Sequence, residues 1–198
     1  MPARIAVLAS GGGTNLQALL DVPDAPYDVV GVLSDNAEAH ALVRAQQHGI
    51  TTEVVSPRDD LDRGGWDARV AEVLTGWRPD RVVCAGFMRV LGSHVLEAFP
   101  SRIVNTHPAL LPSFPGAHGV RDALDYGVRI TGCTVHLVDA GVDTGPILDQ
   151  RAVAVLPQDD EESLHERIKV EERAMLVDIV LQLCAHGCSV DGRKVTIP

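Results

Sequence analysis

Arg4-Ile-Ala-Val-Leu-Ala-Ser-Gly-Gly-Gly-Thr-Asn-Leu-Gln-Ala-Leu-Leu20 reads as a strand, a glycine loop and a helix. The apolar run over 4–9 suits a short buried strand, and the leucines from Leu16 to Leu20 fall at helical spacing. The glycines between them let a ligand approach the backbone, and the first N–H groups of a helix have no partner within it. Gly11, Gly12, Gly13, Thr14 and Asn15 are therefore candidates to hold a phosphate. The same pattern also serves as an ordinary strand-to-helix turn. It is not the G-x-G-x-x-G fingerprint, because Leu16 stands at the third glycine, and no Gly-Lys-Ser/Thr follows to make a P-loop. Asp35, past the second strand, sits where a ribose-binding acid would be, which keeps a dinucleotide site open; beside Asn36 it reads more simply as a turn residue.

Working outward, the alternation repeats. Strands are expected over 29–33, 51–55, 81–85 and 102–104, with helices over 37–48, 66–77 and 93–99 and a charged connector over 58–65. That order predicts an α/β, Rossmann-like, doubly wound and mostly parallel sheet with helices on both faces. The ends of its first, fourth and fifth strands share one edge, where residues 11–15, 88–91 and 105–107 are expected to meet. After a short helix over 120–126, strands over 129–138 and 147–155 have only the loop 139–146 between them, so the C-terminal β section is partly antiparallel. Asp159-Asp-Glu-Glu162 should cap and complement a long helix over about 163–184, and a hairpin over 188–197 turns at Asp191-Gly192. A single domain is expected over 1–198.

A chain of 198 residues can bury roughly 70% of its unfolded surface. Aromatic residues make up only 4%, so aliphatic side chains must build the core. The net charge of −10 argues against duplex nucleic acid and anionic membranes as partners, though not against a phosphorylated small molecule, which needs only a local positive or N–H-rich site. No signal peptide and no apolar run of spanning length is present, so a cytoplasmic location is expected. Cys84, Cys133, Cys184 and Cys188 show no metal-ligand spacing and read as structural thiols.

The chemistry is carried by Ile103-Val-Asn-Thr-His-Pro-Ala-Leu-Leu-Pro-Ser-Phe-Pro-Gly116. On a continuing strand Asn105 and His107 point to the same face. An amide can hold an oxyanion and an imidazole can move a proton, a pair suited to acyl-type transfer. Loop capping by Asn105 and a merely satisfied His107 are the plain alternative. Leu111-Pro112 lies in a loop tight enough for a cis bond. Of the other histidines, His40, His48, His94, His165 and His186 fall mostly on polar helical faces, and His118 after Gly116 is kept as a pocket-lining candidate.

Ser10-Gly-Gly-Gly-Thr-Asn15, Gly86-Phe-Met-Arg-Val-Leu91, Asn105-Thr-His-Pro-Ala-Leu-Leu-Pro112 and Asp143-Thr-Gly-Pro146 together resemble the phosphoribosylglycinamide formyltransferases, folate-dependent enzymes of the formyltransferase-fold family. The match runs almost end to end and in order. Leu137 and Ala140 depart from it, standing where relatives more often carry an aromatic and an acid or larger residue; Gly64-Gly65 makes the segment after Arg63 unusual.

The resemblance implies direct transfer of a formyl group from 10-formyltetrahydrofolate, as co-substrate, to the amine of glycinamide ribonucleotide in purine biosynthesis. Asn105, His107 and Asp143 become the catalytic trio, with Pro108, Thr134 and His136 supporting them. Residues 11–15 would cradle the nucleotide phosphate, and Glu172 would contact its sugar. Met88, Arg89, Val90 and Leu91 would line the pterin slot, largely by backbone groups. The loop carrying Asp139, Ala140, Gly141, Val142 and Asp143 would close over the pterin, with Arg63 near the folate. The N-terminal half would then hold the nucleotide and the C-terminal half the folate. No metal is required, and a homodimer is left open. The alternatives are a formyltetrahydrofolate hydrolase, whose relatives carry a further domain ahead of the first strand, and a nucleotide-binding module without catalysis. A tRNA-directed formyltransferase would add a C-terminal nucleic-acid-binding domain, which a chain ending at Pro198 with this acidic balance is not expected to have.

Overall fold

The computed structural model describes every residue except Leu61, so that position of the expected connector over 58–65 lies outside the described residues. The chain divides into two compact units, Met1–Val104 and Asn105–Pro198.

The first unit begins with β1 (Ala3–Leu8), α1 (Thr14–Leu20), β2 (Tyr27–Ser34) and α2 (His40–Gln47). It continues with β3 (Thr52–Val54), α3 (Arg63–Trp77), β4 (Arg81–Cys84) and α4 (Ser93–Ala98). Its strands lie in the order β3-β2-β1-β4, all parallel, with Val7 opposite both Val32 and Val83. Parallel strands covered by helices should be apolar throughout, and Ile5, Val7, Leu8, Val32, Leu33, Val82 and Val83 are fully buried. Gly31 permits a close approach: a Cβ there would lie 2.5 Å from the Trp77 ring at the end of α3. Arg4 then donates to the terminal carbonyls of Trp77 and Arg78, satisfying acceptors that a helix end leaves open.

Two helix starts differ from expectation for local reasons. Residues 37 and 38 form a turn rather than the first turn of α2, because the Asn36 side chain accepts from Glu38 N–H at 3.1 Å and its carbonyl from Ala39 N–H. By contrast, α3 starts three residues early. Asp62 caps it, accepting from Gly65 N–H at 2.8 Å, which draws Arg63, Gly64 and Gly65 out of the expected connector and into the helix.

Strand β5 (Ile103–His107) begins in the first unit and ends in the second. There α5 (Gly119–Tyr126), β6 (Ile130–Leu137), β7 (Ile147–Ala154), α6 (Glu161–His186), β8 (Ser189–Asp191) and β9 (Lys194–Thr196) follow. β6 and β7 pair antiparallel, as do β8 and β9, while β7 meets β9 in parallel at a single position. This is the mixed α/β class expected, parallel first and partly antiparallel later. Helix α6 is capped by a reciprocal pair: Asp160 accepts from Ser163 N–H and Ser163 Oγ from Asp160 N–H. The buried face of α6 carries Leu164, Ile168, Met175, Leu176, Ile179 and Leu183, at the spacing of one helical stripe. Among the described residues no helix is long and apolar enough to cross a membrane.

Candidate active site

The decisive local fact is that β5 does not stop at Val104. It continues through His107, so Asn105 and His107 share one face and Thr106 takes the other. On the Thr106 side the hydroxyl donates to Glu172 Oε1 of α6 at 2.6 Å. Glu172 is only 7% exposed, although Glu171-Glu172-Arg173 suggests a solvated face in sequence.

On the other face His107 is buried, and both ring nitrogens meet acceptors. Nε2 lies 2.8 Å from the Phe114 carbonyl oxygen. Nδ1 lies 3.3 Å from Asp143 Oδ2. A carbonyl and a carboxylate cannot donate, so the imidazolium is the form that satisfies both sides. His136 stands beside this pair. Its Nδ1 donates to the Leu137 carbonyl at 2.9 Å, while Nε2 sits 3.2 Å from Asn105 Nδ2 and 3.6 Å from Asp143 Oδ1. When neutral, His136 accepts one Asn105 amide hydrogen and leaves the other free to donate; when charged, it turns a proton toward Asp143.

Asp143 links the cluster. Its Oδ2 also accepts from Gly116 N–H at 2.8 Å. Burial pushes its carboxyl upward, but hydrogen bonds from His136 and Gly116 and the charge of His107 outweigh that and hold it below its ordinary 3.8. The backbone at Asp143 is left-handed, with φ 54°. The turn that presents it is built by Asp139, whose Oδ1 accepts from Gly141 N–H and Thr144 Oγ1. Ala140, Gly141 and Val142 are exposed at its tip.

The remaining candidates in this unit fall into place around the trio. Thr134 is fully buried and braces the loop after β5, donating to the Ala109 carbonyl and accepting from Leu111 N–H and Gln150 Nε2. Pro108 is half-buried in that loop, and Leu111–Pro112 is cis. His118 is exposed at the start of α5 and makes no side-chain cap.

In the first unit the glycine loop is turned so that its carbonyls face away from its N–H groups. Gly11 O accepts from Ala41 N–H, Gly12 O from Arg44 Nε–H and Gly13 O from Gln17 N–H. The N–H groups of Gly11, Gly12, Gly13 and Thr14 have no partner among the described residues, and Asn15 is buried behind them. Gly13 has φ 72°, and a Cβ there would lie 2.7 Å from the Ala41 backbone. Ser10 joins this loop to residues 88–91, since its Oγ accepts from Met88 N–H at 2.8 Å. That segment is held by three further contacts. Arg89 Nε donates to Asp35 Oδ2 at 2.8 Å, Arg63 Nη2 donates to Val90 O at 3.0 Å, and Gly92 N–H donates to Asp67 Oδ1. Met88 is 76% exposed while Leu91 is buried, leaving one face of the segment open. Asp35 stands in the bend that follows β2, as its neighbour Asn36 suggested, and is also the ion-pair partner of Arg89.

Sequence reasoning missed Phe114 O, Gly116 N–H, Thr106 and Arg44. The first two are backbone groups, which carry no residue signal. Cys84 and Cys133 are buried thiols pushed up to about 12 by burial, and none of the four cysteines is in a disulfide. No group of three His, Cys, Asp or Glu among the described residues is placed to hold a metal.

Comparison with known proteins draws on both units. Residues 3–180 match the formyl transferase family. A phosphoribosylglycinamide formyltransferase of Mycobacterium tuberculosis (strain CDC 1551 / Oshkosh) is 53% identical, covering 99% of this chain and 92% of that protein. The human trifunctional purine biosynthetic protein adenosine-3 is 40% identical over 93% of this chain, which corresponds to 18% of its own length. Among solved structures, glycinamide ribonucleotide transformylase 1 from Symbiobacterium toebii superposes with a TM-score of 0.96 at 44% identity, covering 99% of this chain and 94% of that one.

Proposed function

The chain belongs to the formyl transferase family, and we propose that it moves the formyl group of 10-formyltetrahydrofolate onto the amine of 5'-phosphoribosylglycinamide. The products are formylglycinamide ribonucleotide and tetrahydrofolate, a step of purine biosynthesis. The observation that carries the mechanism is the buried imidazole of His107, held between Phe114 O and Asp143 on the strand that also presents Asn105.

The substrate amine attacks the formyl carbon, forming a C–N bond and placing negative charge on the formyl oxygen. The free amide N–H of Asn105 and the His107 cation stabilise that oxygen, at roughly 3–4 kcal/mol for one well-placed donor. The attacking nitrogen now carries an extra proton and N10 of the folate needs one. His107, or a water held by Asp143, passes it across, and the bond from the formyl carbon to N10 breaks. Because His107 Nε2 is held by Phe114 O in this structure, the ring must exchange that partner for the formyl oxygen as the reaction proceeds. No enzyme nucleophile takes part.

Binding roles belong to the same proposal. The unpartnered N–H groups at residues 11–14, with Asn15, take the phosphate; Glu172 takes the sugar. Met88, Arg89, Val90 and Leu91 offer backbone groups to the pterin, supported by Arg63, and the loop 139–143 covers it. Pro108, His118, Thr134 and His136 shape the surroundings. We treat 1–198 as one formyltransferase domain, which the family match across both units supports. The buried thiols of Cys84 and Cys133 suit a reducing, cytoplasmic setting. Substitution of Asn105 by Ala tests the oxyanion role: product formation measured by chromatography should fall about 10²–10³-fold in kcat with little change in either KM. An unchanged kcat removes Asn105 from the mechanism.

A further inference from the structure

Arg44 has no part in the roles above, yet it is the charged side chain the structure puts against the glycine loop. It stands on α2 one turn beyond Ala41, whose backbone fills the space a side chain at Gly13 would need. That close approach docks α2 on the loop and points Arg44 at it. Its Nε donates to Gly12 O at 2.9 Å and its Nη1 to Gln17 Oε1 at 3.0 Å. Gln17 in turn donates to Asp21 Oδ1 at 2.7 Å and lies 3.5 Å from His48 Nε2. Nη2 has no partner, and no carboxylate pairs with Arg44 among the described residues.

A half-buried guanidinium with no carboxylate beside it among the described residues is a local positive charge in a chain of net charge −10. The loop beside it has to attract a dianion, and α1, with seven residues, offers little dipole of its own. Of the three bonds that turn the loop's carbonyls outward, those to Gly11 and Gly13 come from backbone N–H groups; the bond to Gly12 comes from a side chain. Without it the Gly12 carbonyl is free to rotate toward an incoming phosphate and repel it.

We propose that Arg44 is a positioning residue for the substrate phosphate, holding the Gly12 carbonyl out of the anion cradle and placing an unpaired positive charge behind it. The inference rests on the reading of residues 11–15 as the phosphate site. It deepens that reading by naming the residue that sets the loop's polarity.

The test compares wild type with Arg44→Gln and Arg44→Lys, using glycinamide ribonucleotide, its dephosphorylated riboside and inorganic phosphate as a competitor. Arg44→Gln should raise KM for the ribonucleotide and weaken inhibition by phosphate roughly 10- to 100-fold, the scale for losing a charged hydrogen-bond partner. kcat, the folate KM and turnover of the riboside should stay at wild-type values. Arg44→Lys, which keeps the charge and loses the fork, should fall between. Equal losses on ribonucleotide and riboside would make Arg44 a merely structural residue and overturn the proposal, as would no loss on either. If phosphate fails to compete with the ribonucleotide even on wild type, and ribonucleotide and riboside react alike, the phosphate-site reading itself falls, and Arg44's role falls with it.

Discussion

Replacing Asp143 by Asn removes one charge and almost no volume. The amide oxygen can still accept from Gly116 N–H, so the turn should survive, while the charge facing His107 at 3.3 Å and His136 at 3.6 Å disappears. At an effective dielectric of about 20, unit charges 3.3 Å apart attract by about 5 kcal/mol. Desolvation of a side chain only 12% exposed returns part of this. A net of about 2 kcal/mol is the scale of a hydrogen bond to a charged group. If the transition state relies on the imidazolium as the ground state does, kcat falls about 30-fold, which is the same energy expressed as a rate. Stability should carry a pH signature. The Asp143 carboxyl sits below its ordinary 3.8 in the folded state, first opposed by burial and then lowered by His136, Gly116 and His107. Its contribution is therefore fully present above 3.8 and is lost as pH falls through the lower folded value. Urea unfolding should show Asp143→Asn about 2 kcal/mol less stable than wild type near pH 7, with the gap closing toward pH 2. A gap that is the same at both pH values, or an unchanged kcat, refutes the electrostatic role.

Three further outcomes follow from contacts away from that carboxylate. Thr106→Val deletes the donor to Glu172 Oε1 and should cost about 1–3 kcal/mol in urea melts, since it takes a partner from a buried charge. Gly13→Ala must place a Cβ 2.7 Å from the Ala41 backbone at φ 72°; a loss of roughly 1–3 kcal/mol in stability is expected, with weaker inhibition by phosphate. In the native protein a thiol reagent near neutral pH should label the half-buried Cys184 and Cys188, and reach Cys84 and Cys133 only on unfolding. Mass spectrometry of the labelled peptides checks it, and early labelling of Cys84 would contradict the burial argument.

Much of this architecture is legible because its signals are local. The apolar run of β1, the glycines after it and the leucines of α1 announce a strand, a loop and a helix without help from distant residues. The starts of α2 and α3 are not legible in the same way, because they depend on which way Asn36 and Asp62 turn their side chains. At the site, Asn105 and His107 stand out by type and by their spacing of two, and the structure brings Asp143 to them. What holds His107 in place is half backbone, through Phe114 O, and no residue type encodes that. Glu172 enters the site reading only through the family resemblance, because its charged neighbours Glu171 and Arg173 give no sign that position 172 is buried and faces Thr106. At Asp35 the bend is legible beside Asn36, but the ion pair is not, because its partner Arg89 is 54 residues away.

The central claim is that this chain uses His107 to transfer a formyl group from a reduced folate to an amine. The most direct test follows folate absorbance as 10-formyltetrahydrofolate is turned over, with and without glycinamide ribonucleotide, on wild type and His107→Ala. Turnover that requires the ribonucleotide and drops by about 10²-fold or more in the variant is the expected result. Folate turnover without the ribonucleotide, or a variant as fast as wild type, would contradict the account.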